Sequence, residues 1–85
     1  METNRLSPTL VQALSDQMTN EAHNAQIYLS YASWAADKGY DGISNFLFRH
    51  SSEERNHMMK FLEYILKRGA KPIVAAIPAP GPDPL

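Results

Sequence analysis

The chain contains no cysteine. No disulfide can therefore stabilise its core, and sites that need thiolate ligands, such as cysteine-bound zinc and iron–sulfur clusters, are excluded. A length of 85 residues is also near the lower end for a domain that folds without such support. Any metal site in this chain must therefore do without thiolate ligands.

The sequence also lacks an excess of charge and a long apolar run. Eight basic residues balance nine acidic ones, for a net charge of −1, which predicts neither nucleic-acid nor membrane binding. No apolar stretch reaches the roughly 18 residues that a membrane-spanning helix needs, and the N-terminus has no apolar signal core. We therefore expect a cytoplasmic protein.

Proline and glycine divide the chain. Every proline except Pro8 falls in the last fourteen residues, where a continuous helix is impossible. Ser7 and Pro8 fit the start of a helix, and Gly39 and Asp41 fit a C-cap followed by an N-cap. The sequence predicts one all-α domain, an antiparallel two-helix hairpin. Its parts are an N-terminal segment 1–7, a first helix 8–37, a turn 38–42, a second helix 43–69 and an extended, mobile proline-rich tail 70–85.

Each predicted helix has a face of regularly spaced residues. On the first helix it comprises Leu10, Leu14, Met18, Ala25, Tyr28, Ala32 and Ala35, at steps of three or four residues apart from a gap of seven after Met18. Glu21 fills the gap in this series. On the second helix the face comprises Ile43, Leu47, His50, Glu54, His57, Phe61 and Ile65. Ionisable side chains thus interrupt both apolar faces.

Because the turn is short, the two helices must be antiparallel neighbours, and heights can be counted from Gly39. Glu21 lies eighteen residues before Gly39, His57 lies eighteen after it, and Glu54 fifteen after it. At about 1.5 Å per residue, the three lie within one turn of the same level. Tyr28 and His50 are each eleven residues from Gly39 and are also level with one another.

Two carboxylates and an imidazole at one level favour a metal ion. Glu54 and His57 form an i, i+3 pair on one face, and Glu21 can reach the same ion from the other helix. This donor set suits Fe(II), Mn(II) or Zn(II). The alternative is a buried polar cluster held only by hydrogen bonds, in which uncompensated carboxylates would cost several kcal/mol each.

The sequence resembles the first half of non-haem ferritins, members of the ferritin-like di-iron carboxylate family. The likeness is carried by segments 13–21 and 28–34, the break 38–42, segment 46–58 with its Glu-Glu-x-x-His motif, and the start of the crossover at 75–80. The resemblance implies that Glu21, Glu54 and His57 bind the first iron of a ferroxidase centre. It also implies that Tyr28 lies beside that centre, with a redox or hydrogen-bonding role, and that Glu53 is an accessory iron ligand.

The weaker candidates have simpler explanations. Tyr28 could be a core aromatic, and Glu53 could pair with Arg49 on the surface. His50 could be an accessory metal ligand, could support the ligands from outside, or could be partly exposed.

A ferritin subunit has four long helices, whereas this chain has two and lacks the second half of the ligands. Two copies, as a homodimer or a higher even oligomer, could complete a four-helix bundle. Each copy would then bring Glu21, Glu54 and His57 to a di-iron centre at the interface, where four carboxylates balance two Fe(II). For a di-iron centre completed by two copies, the resemblance implies a ferroxidase that oxidises Fe(II) with O₂. It also implies that this reaction serves iron storage or detoxification.

Three alternatives remain open at this stage. The chain could be a truncated ferritin piece that assembles without catalysis, or a module that binds Zn²⁺ or Mn²⁺ without redox chemistry. It could also be cargo of an encapsulin shell, although segment 78–85 contains no obvious targeting motif.

Overall fold

A computed structural model describes residues 6–84, so part of the predicted segment 1–7 and the final residue of the tail lie outside the described residues. Within them the chain forms two antiparallel helices, α1 (Pro8–Asp37) and α2 (Asp41–Lys67), and no strand. The predicted all-α two-helix hairpin is confirmed. No helix of this part of the chain is long and apolar enough to cross a membrane.

The two helices begin in different ways. Ser7 is the N-cap of α1, and its hydroxyl accepts a hydrogen bond from the Leu10 backbone N–H at 3.1 Å. Tyr40, rather than the predicted Asp41, is the N-cap of α2, and its carbonyl accepts from the Ser44 N–H at 2.9 Å. Asp41 instead lies in the first turn, where its carboxylate complements the positive end of the helix dipole.

The predicted range 43–69 for the second helix is therefore wrong by two residues at each end. The helix starts earlier because Tyr40 already provides the cap. It stops earlier because Gly69 adopts a left-handed backbone conformation with φ of 79°, which a helix cannot continue through. Gly39 in the turn also has a left-handed backbone conformation, with φ of 82°.

Small side chains line the contact between the helices. Ala32 is completely buried and Ala25 and Ser44 are nearly so, and the Ser51 hydroxyl donates to the Ala25 carbonyl across the interface at 2.7 Å. Such small residues let the helix backbones approach closely. Among large side chains, Ile65 is fully buried.

The predicted apolar faces are only partly covered. Leu10 is 44% exposed and Ile43 is 55% exposed, although both belong to the faces predicted to point inward. The reason is that the described molecule is a single layer of helices, 56 × 20 × 11 Å in extent. Its radius of gyration is 15.9 Å, against about 12 Å for a compact domain of this length. A hydrophobic core normally needs two layers, so one face of this hairpin lacks its counterpart.

The tail returns along α1. The Ile73 N–H donates to the hydroxyl of the buried Ser15 at 3.0 Å, and Pro80 lies further along α1, beside Trp34. Residues 70–81 have no regular secondary structure, in keeping with their prolines. The tail was expected to be extended and mobile. At Ile73 it is hydrogen bonded to α1, where the Ser15 hydroxyl offers a buried acceptor, and its mobility stays a prediction.

Candidate metal centre

Glu21 from α1 and Glu54 and His57 from α2 converge at one point. One ligand atom from each residue lies within 4.8 Å of the other two, and His57 Nδ1 is 3.6 Å from Glu21 Oε2. The i, i+3 spacing places Glu54 and His57 on one side of α2, and the antiparallel packing brings Glu21 to their level. Of the residues that the structure describes, these three form the one group of histidines and acids close enough to share an ion.

The cluster is buried on one side and open on the other. The Glu21 side chain is only 15% exposed, whereas that of His57 is 51% exposed. A groove of about 560 Å³ adjoins the two residues. Its other lining residues are Leu14, Lys60, Phe61 and Tyr64. Glu21 and His57 thus border a largely apolar depression on the uncovered face of the hairpin.

Hydrogen bonding between the carboxyl groups of Glu21 and Glu54 shifts their pKa values in opposite directions. This bond to Glu21 is the main reason that the pKa of Glu54 is raised, and desolvation by burial adds to the effect. The same bond is the main reason that the pKa of Glu21 is lowered. Two ionised carboxylates at this distance would repel each other. A divalent cation between them would offset that repulsion, so the donor set fits a metal ion on its own chemistry.

Two amide side chains, which sequence reasoning missed, support the carboxylates. Gln17 Nε2 donates to Glu21 Oε1 at 3.2 Å. Asn24 hydrogen bonds Glu54 and acts to lower the pKa of that carboxyl. Their spacing could have indicated that they lie near the cluster. Gln17 is one turn before Glu21 on α1, and Asn24 is one turn after it. Such neighbours fix the orientation of ligands that bind a metal.

The other candidate residues lie outside the cluster. The rings of Tyr28 and His50 stack, with centroids 5.2 Å apart and planes inclined by 27°. The Glu53 side chain is 55% exposed, and its Oε2 is 3.9 Å from His50 Nδ1. The contact found for the Glu53 carboxylate is therefore with His50 and not with Arg49, the alternative surface partner. Neither His50 nor Glu53 joins the three-residue group.

A Glu on one helix and a Glu-x-x-His on its antiparallel neighbour make up half of the ligand set of ferritin-like di-iron proteins. The sequence pattern of the ferritin-like domain matches residues 11–84, and the chain belongs to the ferritin family.

Several bacterial relatives support this assignment. The chain is 40% identical over 75 residues to a non-heme ferritin of Staphylococcus haemolyticus. The matched region covers 88% of this chain and 45% of the relative. It is 36% identical over 75 residues to a probable non-heme ferritin-like protein of Haemophilus influenzae, covering 88% and 46%. The fold is similar to the solved ferritin of Chlorobium tepidum, with a TM-score of 0.84, 32% identity, and coverage of 91% of this chain and 47% of that one.

The chain spans about half the length of the curated relatives it matches. The matched half contains Glu21, Glu54 and His57.

Proposed function

We propose that this chain binds iron as half of a di-iron centre, that a second copy supplies the other half, and that the completed centre oxidises Fe(II) with O₂. The supporting observation is the cluster of Glu21, Glu54 and His57 at the edge of an open apolar groove. In this proposal Fe(II) is the substrate, and the reaction serves iron storage or detoxification.

The ligand count supports a second copy. One chain offers two carboxylates and one imidazole, which do not fill the coordination of two ions. Two chains offer four carboxylates, whose charge balances two Fe(II), and two imidazoles. This doubled set, with one Glu from each of two helices and a Glu-x-x-His from each of the other two, is the general pattern of ferritin-like di-iron sites.

The uncovered face supplies a physical drive for association. Phe61 and Leu14 are only partly buried where they line the groove, and several large apolar side chains elsewhere on the hairpin are exposed. Burying one such side chain completely is worth roughly 1.5–3 kcal/mol. A second copy would convert the single layer into a four-helix bundle with two layers.

The described residues then take separate roles. Glu21, Glu54 and His57 bind the iron, and the amides of Gln17 and Asn24 hold the two carboxylates in place. Tyr28 lies toward the turn from the cluster and offers a phenolic hydroxyl for hydrogen bonding or electron transfer. Iron itself supplies the redox chemistry, since each Fe(II) gives one electron to the oxidant.

The test is an anaerobic Fe(II) titration followed by measured O₂ uptake. We expect saturation at one Fe per chain and rapid O₂ consumption when air is admitted. Glu54→Ala should abolish both, because it removes a ligand that the second chain cannot replace. The matched control is Glu63→Ala, which removes an exposed carboxylate elsewhere on α2 and should change neither.

Other results would overturn the proposal in distinct ways. Unchanged binding by Glu54→Ala would exclude the cluster as the iron site. Binding without O₂ uptake would identify an assembled but inactive ferritin piece. Zn²⁺ or Mn²⁺ that Fe(II) cannot displace would indicate a non-redox metal module.

A further inference from the structure

Tyr28 and His50 form a contact between the two helices that the ligand cluster does not explain. Tyr28 belongs to α1 and His50 to α2, and their rings stack with centroids 5.2 Å apart. The 27° angle between the planes makes this an offset stack rather than an edge-to-face contact. The Tyr28 ring therefore packs on His50 across the helix interface.

His50 is itself held from two further directions. The Phe46 ring packs against it with centroids 4.4 Å apart and planes inclined by 58°, one turn earlier on α2. The Glu53 carboxylate lies 3.9 Å from His50 Nδ1. Phe46, Tyr28 and Glu53 thus contact the imidazole, whose side chain is 35% exposed.

The contact adjoins the proposed iron site. His50 precedes Glu54 by one turn on α2, and Tyr28 follows Glu21 by two turns on α1. The stacked rings therefore occupy the next level of the hairpin toward the turn. We propose that His50 is a positioning residue that holds the Tyr28 ring beside the iron centre. This inference rests on the proposed function, because it gives Tyr28 a part in iron oxidation.

The geometry favours positioning over metal binding by His50. Its ring is packed by two aromatic side chains, and it lies outside the group whose ligand atoms come within 4.8 Å of one another. A positioning role needs the ring of His50 but not its nitrogen atoms. Phenylalanine at position 50 would therefore preserve a positioning role. It would abolish a ligand role, because it has no nitrogen atom to bind the metal.

The experiment compares His50→Ala, His50→Phe, Tyr28→Phe and the double variant His50→Ala/Tyr28→Phe in the full chain. The first readout is the set of Tyr28 ring resonances by NMR, identified from their loss in Tyr28→Phe. The second is the initial rate of Fe(II) oxidation at saturating iron, with the anaerobic iron stoichiometry measured alongside. His23→Ala is the control, because it removes a histidine of α1 that is not part of the cluster or the stack.

We expect His50→Ala to shift the Tyr28 resonances and to slow oxidation about fivefold, the equivalent of one hydrogen bond of about 1 kcal/mol. Iron stoichiometry should stay unchanged. The double variant should be no slower than Tyr28→Phe alone, since both changes remove the same contribution. His50→Phe should restore both the resonances and the rate.

Three results would overturn the inference. One is a Tyr28 spectrum that His50→Ala leaves unchanged, and another is a double variant whose rate loss is the product of the two single losses. The third is a loss of bound iron in both His50→Ala and His50→Phe, which would make His50 a ligand. If the unmodified chain neither binds nor oxidises iron, the proposed function fails. The NMR comparison then still decides whether His50 positions Tyr28.

Discussion

Glu54 combines two roles that make opposite demands on the protein. In the metal-free protein, hydrogen bonding with Glu21 raises the pKa of Glu54. With a divalent ion bound, the same two oxygens become ligands and their charges are neutralised. The cluster is therefore arranged for binding at some cost to the stability of the metal-free chain.

The first prediction concerns Glu54→Gln. The amide keeps a hydrogen-bond donor toward Glu21 but removes the carboxyl–carboxyl contact, so the free energy of unfolding without metal should stay within about 1 kcal/mol or rise. Fe(II) at a hundredfold excess over Kd should stabilise the unmodified protein by about 2.7 kcal/mol and leave the variant unaffected. Anaerobic urea unfolding with and without Fe(II) measures both. Equal stabilisation of the two proteins would show that Glu54 does not bind the metal.

The cluster was predictable from the sequence because three ionisable residues occupy helical faces at equal distances from one turn. The amides were harder to find. Gln17 lies on α1 among other polar residues, and only the fold shows that its side chain points at Glu21. Asn24 contacts Glu54 on the other helix, and that contact depends on the rotation of α1 about its axis. Residue periodicity alone does not fix such a rotation to better than a few tens of degrees.

At the scale of the helices and turn, the hairpin depends on the break at Gly39. Its φ of 82° is a conformation that side chains disfavour, and no other atom lies within 4 Å of where a Cβ would be placed. Gly42 offers a matched comparison, since it lies within α2 and has equally open surroundings.

The second prediction is that alanine has opposite effects at these two glycines. Gly39→Ala should lower the free energy of unfolding by about 1–2 kcal/mol, because the left-handed backbone is disfavoured for L-residues. Gly42→Ala should raise it by up to about 1 kcal/mol, because alanine is the better helix former. Thermal or urea unfolding of both variants measures the difference. Equal effects of the same sign would mean that the turn does not require the backbone seen at Gly39.

The helices themselves follow from the sequence, but the buried surface does so only in part. Pro8 and Gly39 mark boundaries that local preferences indicate, whereas the predicted second helix ran to Gly69, two residues beyond its end at Lys67. Ser15 and Ser44 are among the most buried residues, yet as polar side chains they give no apolar signal. They are buried because small residues permit close approach of the helices and, at Ser15, of the tail.

On the scale of the whole molecule, the exposed position of Ile43 and the thickness of 11 Å have the same cause. The sequence specifies apolar faces for a two-layer bundle, and one chain provides a single layer. The face that lacks a partner contains both the groove and the open side of the ligand cluster. In the proposed dimer, the association of two chains on this face therefore also completes the iron site.

Native mass spectrometry of the anaerobic protein with Fe(II) tests this central claim most directly. The account predicts a species at twice the 9.5 kDa chain mass that contains two iron ions, with little iron on single chains. Glu54→Ala should give the dimer without iron. A single chain that binds iron as tightly as the dimer, or a dimer whose iron content is unchanged by Glu54→Ala, would contradict it.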